Sequence, residues 1–460
     1  MRDFLCAMKT KQALRVSAAR ARTSEASLES RIEGEPLSLR DRLRRRGARF
    51  ILECKSASPS EGVMISNFHP DQLARSYLGP ADAISVLTEP EHFGGHLEHL
   101  ARVKMAVDVP VLRKDFIVDP YQVLEARAFG ADAVLLMVSL LEPSMLSACL
   151  REATRLGMEA LVEAHDAAEM DMALAAGTRL LGINNRDLRT MEVRLGTVDQ
   201  LSPRVPDAVT VVAESGYRNP ADILAASPRV DGFLVGTQLV KAPDPGAEAR
   251  RLAFGRIKIC GLTRLEDAQC ATALGASHLG FVRWEGSRRW TSDLSAFEDV
   301  DRPKVGVYVD PTAEQVKGDA ERYGLSAVQI HGRVPRGLNL PVGVELWGGV
   351  SALKSGSHTE FDRLVLDSAP VGGTGKTFDW NALDWPDLHR HWLAGGIGPD
   401  NVQAARQVGT FGIDLSSGVE RAPGIKDSKR LVSLFEKARA PSRSDAHADP
   451  DREMTEGVHP

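Results

Sequence analysis

Short runs of β-branched and apolar residues alternate with helix-length amphipathic stretches along this chain, and the alternation runs through eight times before starting again. The first set reads Phe50–Lys55 (FILECK), Ala83–Thr88 (AISVLT), Val109–Phe116 (VPVLRKDF) and Ala133–Val138 (AVLLMV). It continues with Glu159–Ala164 (EALVEA), Leu180–Asn185 (LLGINN), Thr210–Ser215 (TVVAES) and Gly232–Gly236 (GFLVG). Near-continuous apolar runs mark strands buried on both faces, and helical patterns between them imply βαβ units and a parallel sheet. Eight such units close a (β/α)8 barrel. After a helix ending at Gly255 the count restarts with RIKICG from Arg256, then HLGFVR from His278, KVGVYVD from Lys304 and AVQIHG from Ala327. GVELWGG from Gly343, RLVLD from Arg363, HWLAGG from His391 and GIDLSSG from Gly412 complete a second set. The predicted fold class is therefore α/β, two fused TIM barrels spanning 1–255 and 256–440. The last twenty residues, from Pro441, are polar without apolar periodicity and are predicted to be a disordered tail.

Composition excludes several partners. The 460 residues carry a formal net charge of -5, which offers no basic face for nucleic acid. No apolar run approaches the ~20 residues that span a bilayer. The five cysteines are scattered without a CxxC pair, which argues against a disulfide framework or structural zinc and suits a reducing, cytoplasmic setting. The Arg- and Ala-rich start, Met1–Arg22, superficially resembles a transit peptide, but Asp3 and the acidic residues from Glu25 onward oppose that reading.

In such barrels the chemistry sits where strands end and lead into helices. Ionisable and amide side chains of the first set occupy those positions: Glu53 and Lys55 on strand one, Lys114 on three, Glu163 on five, Asn184 with Arg186 on six. The bland alternative is a mouth closed by salt bridges, yet charged residues are seldom buried without reason. Phosphate sites commonly follow strands seven and eight, where small residues leave backbone N–H groups accessible. Here those places hold Ser215–Gly216 and Gly236–Thr237, and the second set repeats the pattern with Gly395–Gly396 and Ser416–Ser417. Gly372–Thr377 (GGTGKT) imitates the end of a P-loop, but Pro370 stands where the first glycine is required. It reads as another phosphate-facing turn, with Gly373 in contact with the anion.

ILECKSASPS (Ile51–Ser60), LRKDF (Leu112–Phe116), GINNRDL (Gly182–Leu188) and ESG (Glu214–Gly216) resemble indole-3-glycerol-phosphate synthase. KICGLT (Lys258–Thr263), VQIHG (Val328–Gly332), GGTGKTFDW (Gly372–Trp380), AGGIGPDN (Ala394–Asn401) and DLSSGVE (Asp414–Glu420) resemble phosphoribosylanthranilate isomerase. Their order resembles the fused bifunctional enzyme of tryptophan biosynthesis. The resemblance implies that the second barrel isomerises N-(5-phosphoribosyl)anthranilate to 1-(2-carboxyphenylamino)-1-deoxyribulose 5-phosphate by an Amadori rearrangement. The first would close the indole ring of that product, with loss of CO2 and water, giving indole-3-glycerol phosphate.

By the same resemblance Lys114 is the acid at the ketone oxygen, and Lys55 contacts the substrate carboxylate or assists dehydration. Glu163 is the base for the ring proton, and Glu53 positions the lysines. Asn184 and Arg186 line the site. Ser215, Gly216, Gly236 and Thr237 hold the phosphate. In the second barrel Cys260 is the base and Asp379 the acid, a demand that puts the cysteine partly in its thiolate form. Arg289, in GSRRW (Gly286–Trp290), matches the arginine that grips the anthranilate carboxylate, but Arg288 stands where the family usually has proline, so either arginine is a candidate for the contact. The histidines, His331 among them, lack companions at metal spacing and suit hydrogen bonding. No metal and no organic cofactor are expected, because proton transfers suffice. The expected partners are small phosphorylated anthranilate–sugar substrates, and the expected state is a monomer. Two other readings remain open: one barrel catalytic and one degenerate, or a phosphate-ligand-binding barrel protein.

Overall fold

A computed structural model describes residues 2–187, 192–352, 358–368, 378–380, 383 and 385–446. Two closed, all-parallel barrels of eight strands account for both sequence sets. In the first, β1 (Arg49–Cys54), β2 (Ala83–Leu87), β3 (Val111–Lys114), β4 (Ala133–Met137), β5 (Glu159–Ala164), β6 (Leu180–Asn184), β7 (Thr210–Glu214) and β8 (Gly232–Val235) follow in order. β8 pairs back onto β1, with Phe50 opposite Phe233. The second runs through β9 (Ile257–Ile259), β10 (His278–Val282), β11 (Lys304–Val309), β12 (Ala327–His331), β13 (Glu345–Ser351), β14 (Arg363–Asp367), β15 (Trp392–Leu393) and β16 (Gly412–Leu415). It closes β16 onto β9, with Lys258 opposite Asp414. Pro70, Pro90, Pro120, Pro143 and Pro220 open helices of the first barrel, where a missing N–H costs nothing.

Alternation along the strands places the chemistry. Ile51, Leu112, Leu161 and Val212 belong to one buried apolar cluster. Residues two further along a strand share its face, so Glu53, Lys114, Glu163 and Glu214 form the next layer toward the strand ends. The second barrel is floored instead by aromatic rings. Trp347 and Trp392 lie 5.2 Å apart, and His278 sits 5.0 Å from Trp392.

The helix Arg2–Arg22 buries Met8, Gln12 and Val16, which are spaced to share one helical face. Gln12 donates to Asp115 at 3.2 Å. Among the described residues no helix is long and apolar enough to cross a membrane.

The tail departs from its expectation. The compact units are Met1–Ala253 with the described residues from Ala440 to Ala446, and Phe254–Arg439, so 441–446 is ordered where a disordered tail was expected. Arg443–Ala446 is a helical turn seated on the first barrel. Arg443 donates to the carbonyls of Val209 and Val205 at 2.8 and 2.7 Å, Asp445 accepts from the Gly47 N–H at 3.0 Å, and Ser444 donates to Asp231. Such docking uses side chains bonded to backbone groups, which leaves no apolar period to read. Residues 447–460 lie outside the described residues. A chain ending at Arg439 should therefore lose about 1–3 kcal/mol of first-barrel stability, the typical cost of orphaned buried hydrogen-bond groups. Calorimetry should show the first-barrel transition several degrees lower and the second unmoved; an unshifted first transition would mean the docked turn contributes nothing.

Candidate active sites

The mouth of the first barrel is a cavity of about 710 Å³. Glu53, Lys55, Lys114, Glu163, Asn184, Arg186, Ser215, Gly216, Gly236 and Thr237 all line it, so the structure brings together every residue singled out in this half. Two lysines line it, each paired with carboxylates. Lys55 Nζ lies 2.6 Å from Glu53 and donates to Thr237 Oγ1 at 2.9 Å. Lys114 Nζ bridges two carboxylates, Glu214 at 3.1 Å and Glu163 at 3.5 Å. A side chain at Gly236 would run into the Glu53 carboxylate and force the Glu53–Lys55 pair to shift. Ser215 and Gly216 both take left-handed backbone, φ 64° and 94°, which is uncommon for serine, in the turn after β7 that lines the cavity.

The charges set one another. Burial alone would lower the Lys114 ammonium, but Glu214, Glu163 and Glu53 hold it well above the ordinary lysine value. It therefore carries a proton at neutral pH. Burial would raise Glu163, but Lys114, His165 and Asn184 overcome it and keep Glu163 ionised. Glu214 moves the other way, held above the usual carboxylate range by burial and by the charge of Glu163. Two carboxylates sharing one lysine thus split into an ionised and a proton-retaining partner. His165 Nδ1 lies 2.9 Å from Glu169, and its Nε2 lies 3.1 Å from Glu163. The second contact is off the ring N–H direction, so it acts as charge rather than as a hydrogen bond. Among the described residues, Glu163 Oε1 and Glu214 Oε1 are buried acceptors without a hydrogen-bond partner. That capacity is available to a substrate.

The second barrel's cavity, about 250 Å³, is lined by Cys260, Trp284, Arg289, His331, Asp367, Gly395, Gly396, Asp414, Ser416 and Ser417, among others. Gly395 and Gly396 carry φ of 94° and 62°, and Ser417 opens a short 3-10 turn. Arg289 grips Glu420 through Nε and Nη2 at 2.9 and 2.8 Å. Glu420 is shared with Lys426 at 2.8 Å, so it keeps a counter-charge if Arg289 turns to a ligand. Arg288 is exposed and outside the cavity lining, which leaves Arg289 as the arginine placed for a bound carboxylate. The Cys260 thiol is raised overall, by burial first and by Asp414, against the downward pull of Lys258 and Lys426.

Not every expected residue converges here. Asp379 is exposed and absent from the residues lining this cavity. Gly373, with the rest of GGTGKT, lies outside the described residues. His331 pairs its Nε2 with Gln329 Nε2 at 2.9 Å, in keeping with a hydrogen-bonding role. The sequence reading gave no role to Glu214, His165, Lys258 or Asp414. Strand-end position could have flagged Glu214, and the two-residue spacing from Cys260 could have flagged Lys258. Nothing local marks His165 or Asp414 as partners.

Residues 5–252 match the family described as indole-3-glycerol phosphate synthase, and residues 257–437 match the one described as N-(5'phosphoribosyl)anthranilate (PRA) isomerase. The chain is 40% identical over 402 residues to the tryptophan biosynthesis protein TrpCF of Yersinia pestis, covering 85% of this chain and 84% of that protein. It is 37% identical over 452 residues to the Salmonella typhi protein of the same name, covering 96% of this chain and 100% of that one. With the Corynebacterium glutamicum protein it shares 36% over 418 residues, 85% of this chain and 88% of the other.

Proposed function

Because the chain belongs to the family of bifunctional tryptophan-biosynthesis enzymes that fuse indole-3-glycerol phosphate synthase to phosphoribosylanthranilate isomerase, we propose how each cavity performs its step. The second barrel carries out the Amadori rearrangement of N-(5-phosphoribosyl)anthranilate. The first converts the product to indole-3-glycerol phosphate with loss of CO2 and water.

In the synthase, ring closure forms a carbon–carbon bond to the ketone carbon, and the developing alkoxide needs a proton. Lys114 supplies it, supported by its protonated state between Glu163 and Glu214. Loss of CO2 restores the aromatic ring. Ionised Glu163 accepts the ring proton as water leaves. Lys55, clamped by Glu53 and Thr237, meets the substrate carboxylate or protonates the departing hydroxyl. The turns at Ser215–Gly216 and Gly236 take the phosphate, with Asn184 and Arg186 beside them. The observation that carries this reading is the Lys114 bridge, one ammonium held between two carboxylates of unequal proton affinity inside the cavity.

In the isomerase, Cys260 takes the C2 proton and Asp379 protonates the furanose oxygen as the ring opens. The second role rests on the motif around Trp380 rather than on placement at the cavity. Arg289 holds the anthranilate carboxylate, and Gly373, Gly395, Gly396, Ser416 and Ser417 hold the phosphate. Among the described residues each cavity is lined from its own compact unit, which supports a monomer as the working unit. Five free cysteines, one of them the proposed base, support a reducing cytoplasm. The purified chain given phosphoribosylanthranilate should form indoleglycerol phosphate without a second enzyme. Accumulation of the deoxyribulose intermediate would remove the synthase assignment, and unconsumed substrate the isomerase one.

A further inference from the structure

Lys258 is buried to zero exposure inside the second barrel, an expensive place for an ammonium group. It precedes Cys260 by two residues on the chain that forms β9, so both side chains face the barrel interior. Of its three donors, one goes to Asp414 Oδ2 and one to Gln329 Oε1, both at 2.8 Å. The charge of the ammonium also acts on the Cys260 thiol, which it favours in the ionised form. The two side chains are close neighbours: a methyl group placed on Gly280 would sit 2.8 Å from Cys260 Sγ and 3.0 Å from Lys258 Cε.

We propose that Lys258 is a positioning residue whose buried ammonium, beside Cys260, lowers the cost of ionising the sulfur for proton transfer, with Asp414 limiting how far that charge acts. The inference rests on the reading of Cys260 as the isomerase base. A buried thiol keeps its proton, and a protonated Cys260 cannot accept the C2 hydrogen. The adjacent ammonium lowers the cost of the thiolate. When the C2–H bond breaks and the S–H bond forms, Lys258 remains paired with Asp414 and no charge is stranded.

The other groups around the pair fit this division. Lys426, from the strand Ile425–Lys426, donates to the Cys260 carbonyl at 2.6 Å, but it is tied to Glu420 at 2.8 Å. Arg289 is likewise engaged by Glu420. His331 is satisfied through Gln329. His278, facing Lys258 from β10, is held neutral, pushed down to about 3 by burial and by the lysine's charge. Lys258 is paired too, with Asp414, but its side chain adjoins the sulfur inside the barrel, whereas Lys426 is bonded to the Cys260 carbonyl.

The test is the rate at which iodoacetamide labels Cys260 in the full chain, read on its own peptide by mass spectrometry from about pH 6 to about pH 10, a range that brackets ordinary thiols. Lys258→Met should raise the midpoint by about one unit or more, slowing labelling at neutral pH about tenfold. Asp414→Asn should do the opposite and speed it, an outcome that mere structural damage does not produce selectively. Lys258→Arg should restore most of the rate. If Lys258→Met does not fold, the sign of the Asp414→Asn change decides alone. Unchanged labelling in Lys258→Met, or slower labelling in Asp414→Asn, overturns the proposal. Isomerase turnover should fall with labelling in Lys258→Met. Labelling that moves as stated while turnover holds would keep the role of Lys258 and discard Cys260 as the base.

Discussion

Lys114→Ala should lower the synthase kcat by about 10²- to 10⁴-fold, the usual worth of a positioned general acid, while isomerase turnover in the same chain stays normal. The phosphate turns at Ser215–Gly216 and Gly236 do not depend on this side chain, so KM should change little. A second consequence follows from the bridge itself. Without the ammonium, Glu163 and Glu214 remain buried side by side at the mouth with no cation between them. At least one must then take up a proton, so Glu163, kept ionised partly by Lys114, should hold a proton to higher pH. Residual activity should accordingly peak at higher pH than in the unaltered chain, because more alkaline solution is needed to ionise Glu163. Steady-state kinetics with the deoxyribulose substrate across pH measures both effects. A kcat that held while only KM rose would make Lys114 a binding residue.

Cys260→Ser should cut isomerase turnover by roughly 10²-fold or more and leave the synthase step intact. Size and hydrogen-bonding geometry are nearly kept, but a hydroxyl is a far weaker acid than a thiol, so no comparable base forms beside Lys258. Alkylation of the unaltered chain should abolish the same activity. A phosphate-bearing substrate analogue should protect it by covering the cavity that holds Cys260, Arg289 and Ser416–Ser417. Cys54 and Cys149 are buried and raised by desolvation, so they should not compete for the reagent at neutral pH. Asp379→Asn should show a loss of similar size, as the variant keeps the shape and removes the proton. Full turnover in Asp379→Asn, with loss in Asp367→Asn, would move the acid to the carboxylate that lines the cavity. Isomerase turnover near normal in Cys260→Ser would end the proposed mechanism.

The order of strands, both barrels and most strand-end residues were legible from sequence, because each depends on neighbours in the chain. Burial on both faces leaves continuous apolar runs such as AVLLMV at Ala133, and a period of two lifts Glu53, Lys114 and Glu163 above the core. Family membership was legible for the same reason, since long motifs such as ILECKSASPS and DLSSGVE are contiguous. What the tertiary structure alone decided is which charges meet. Lys114 and Glu214 are separated by 100 residues, and Lys258 and Asp414 by 156; no spacing in the sequence relates them. Closure of each barrel brings them within hydrogen-bonding distance, and the electrostatic consequence depends on that distance and on the exclusion of water. The same holds for Arg289 over Arg288, for the exposed position of Asp379, and for the docked turn at Arg443. Polar contacts between distant segments carry no periodicity, so a chain read one residue at a time shows the groups but not their partners.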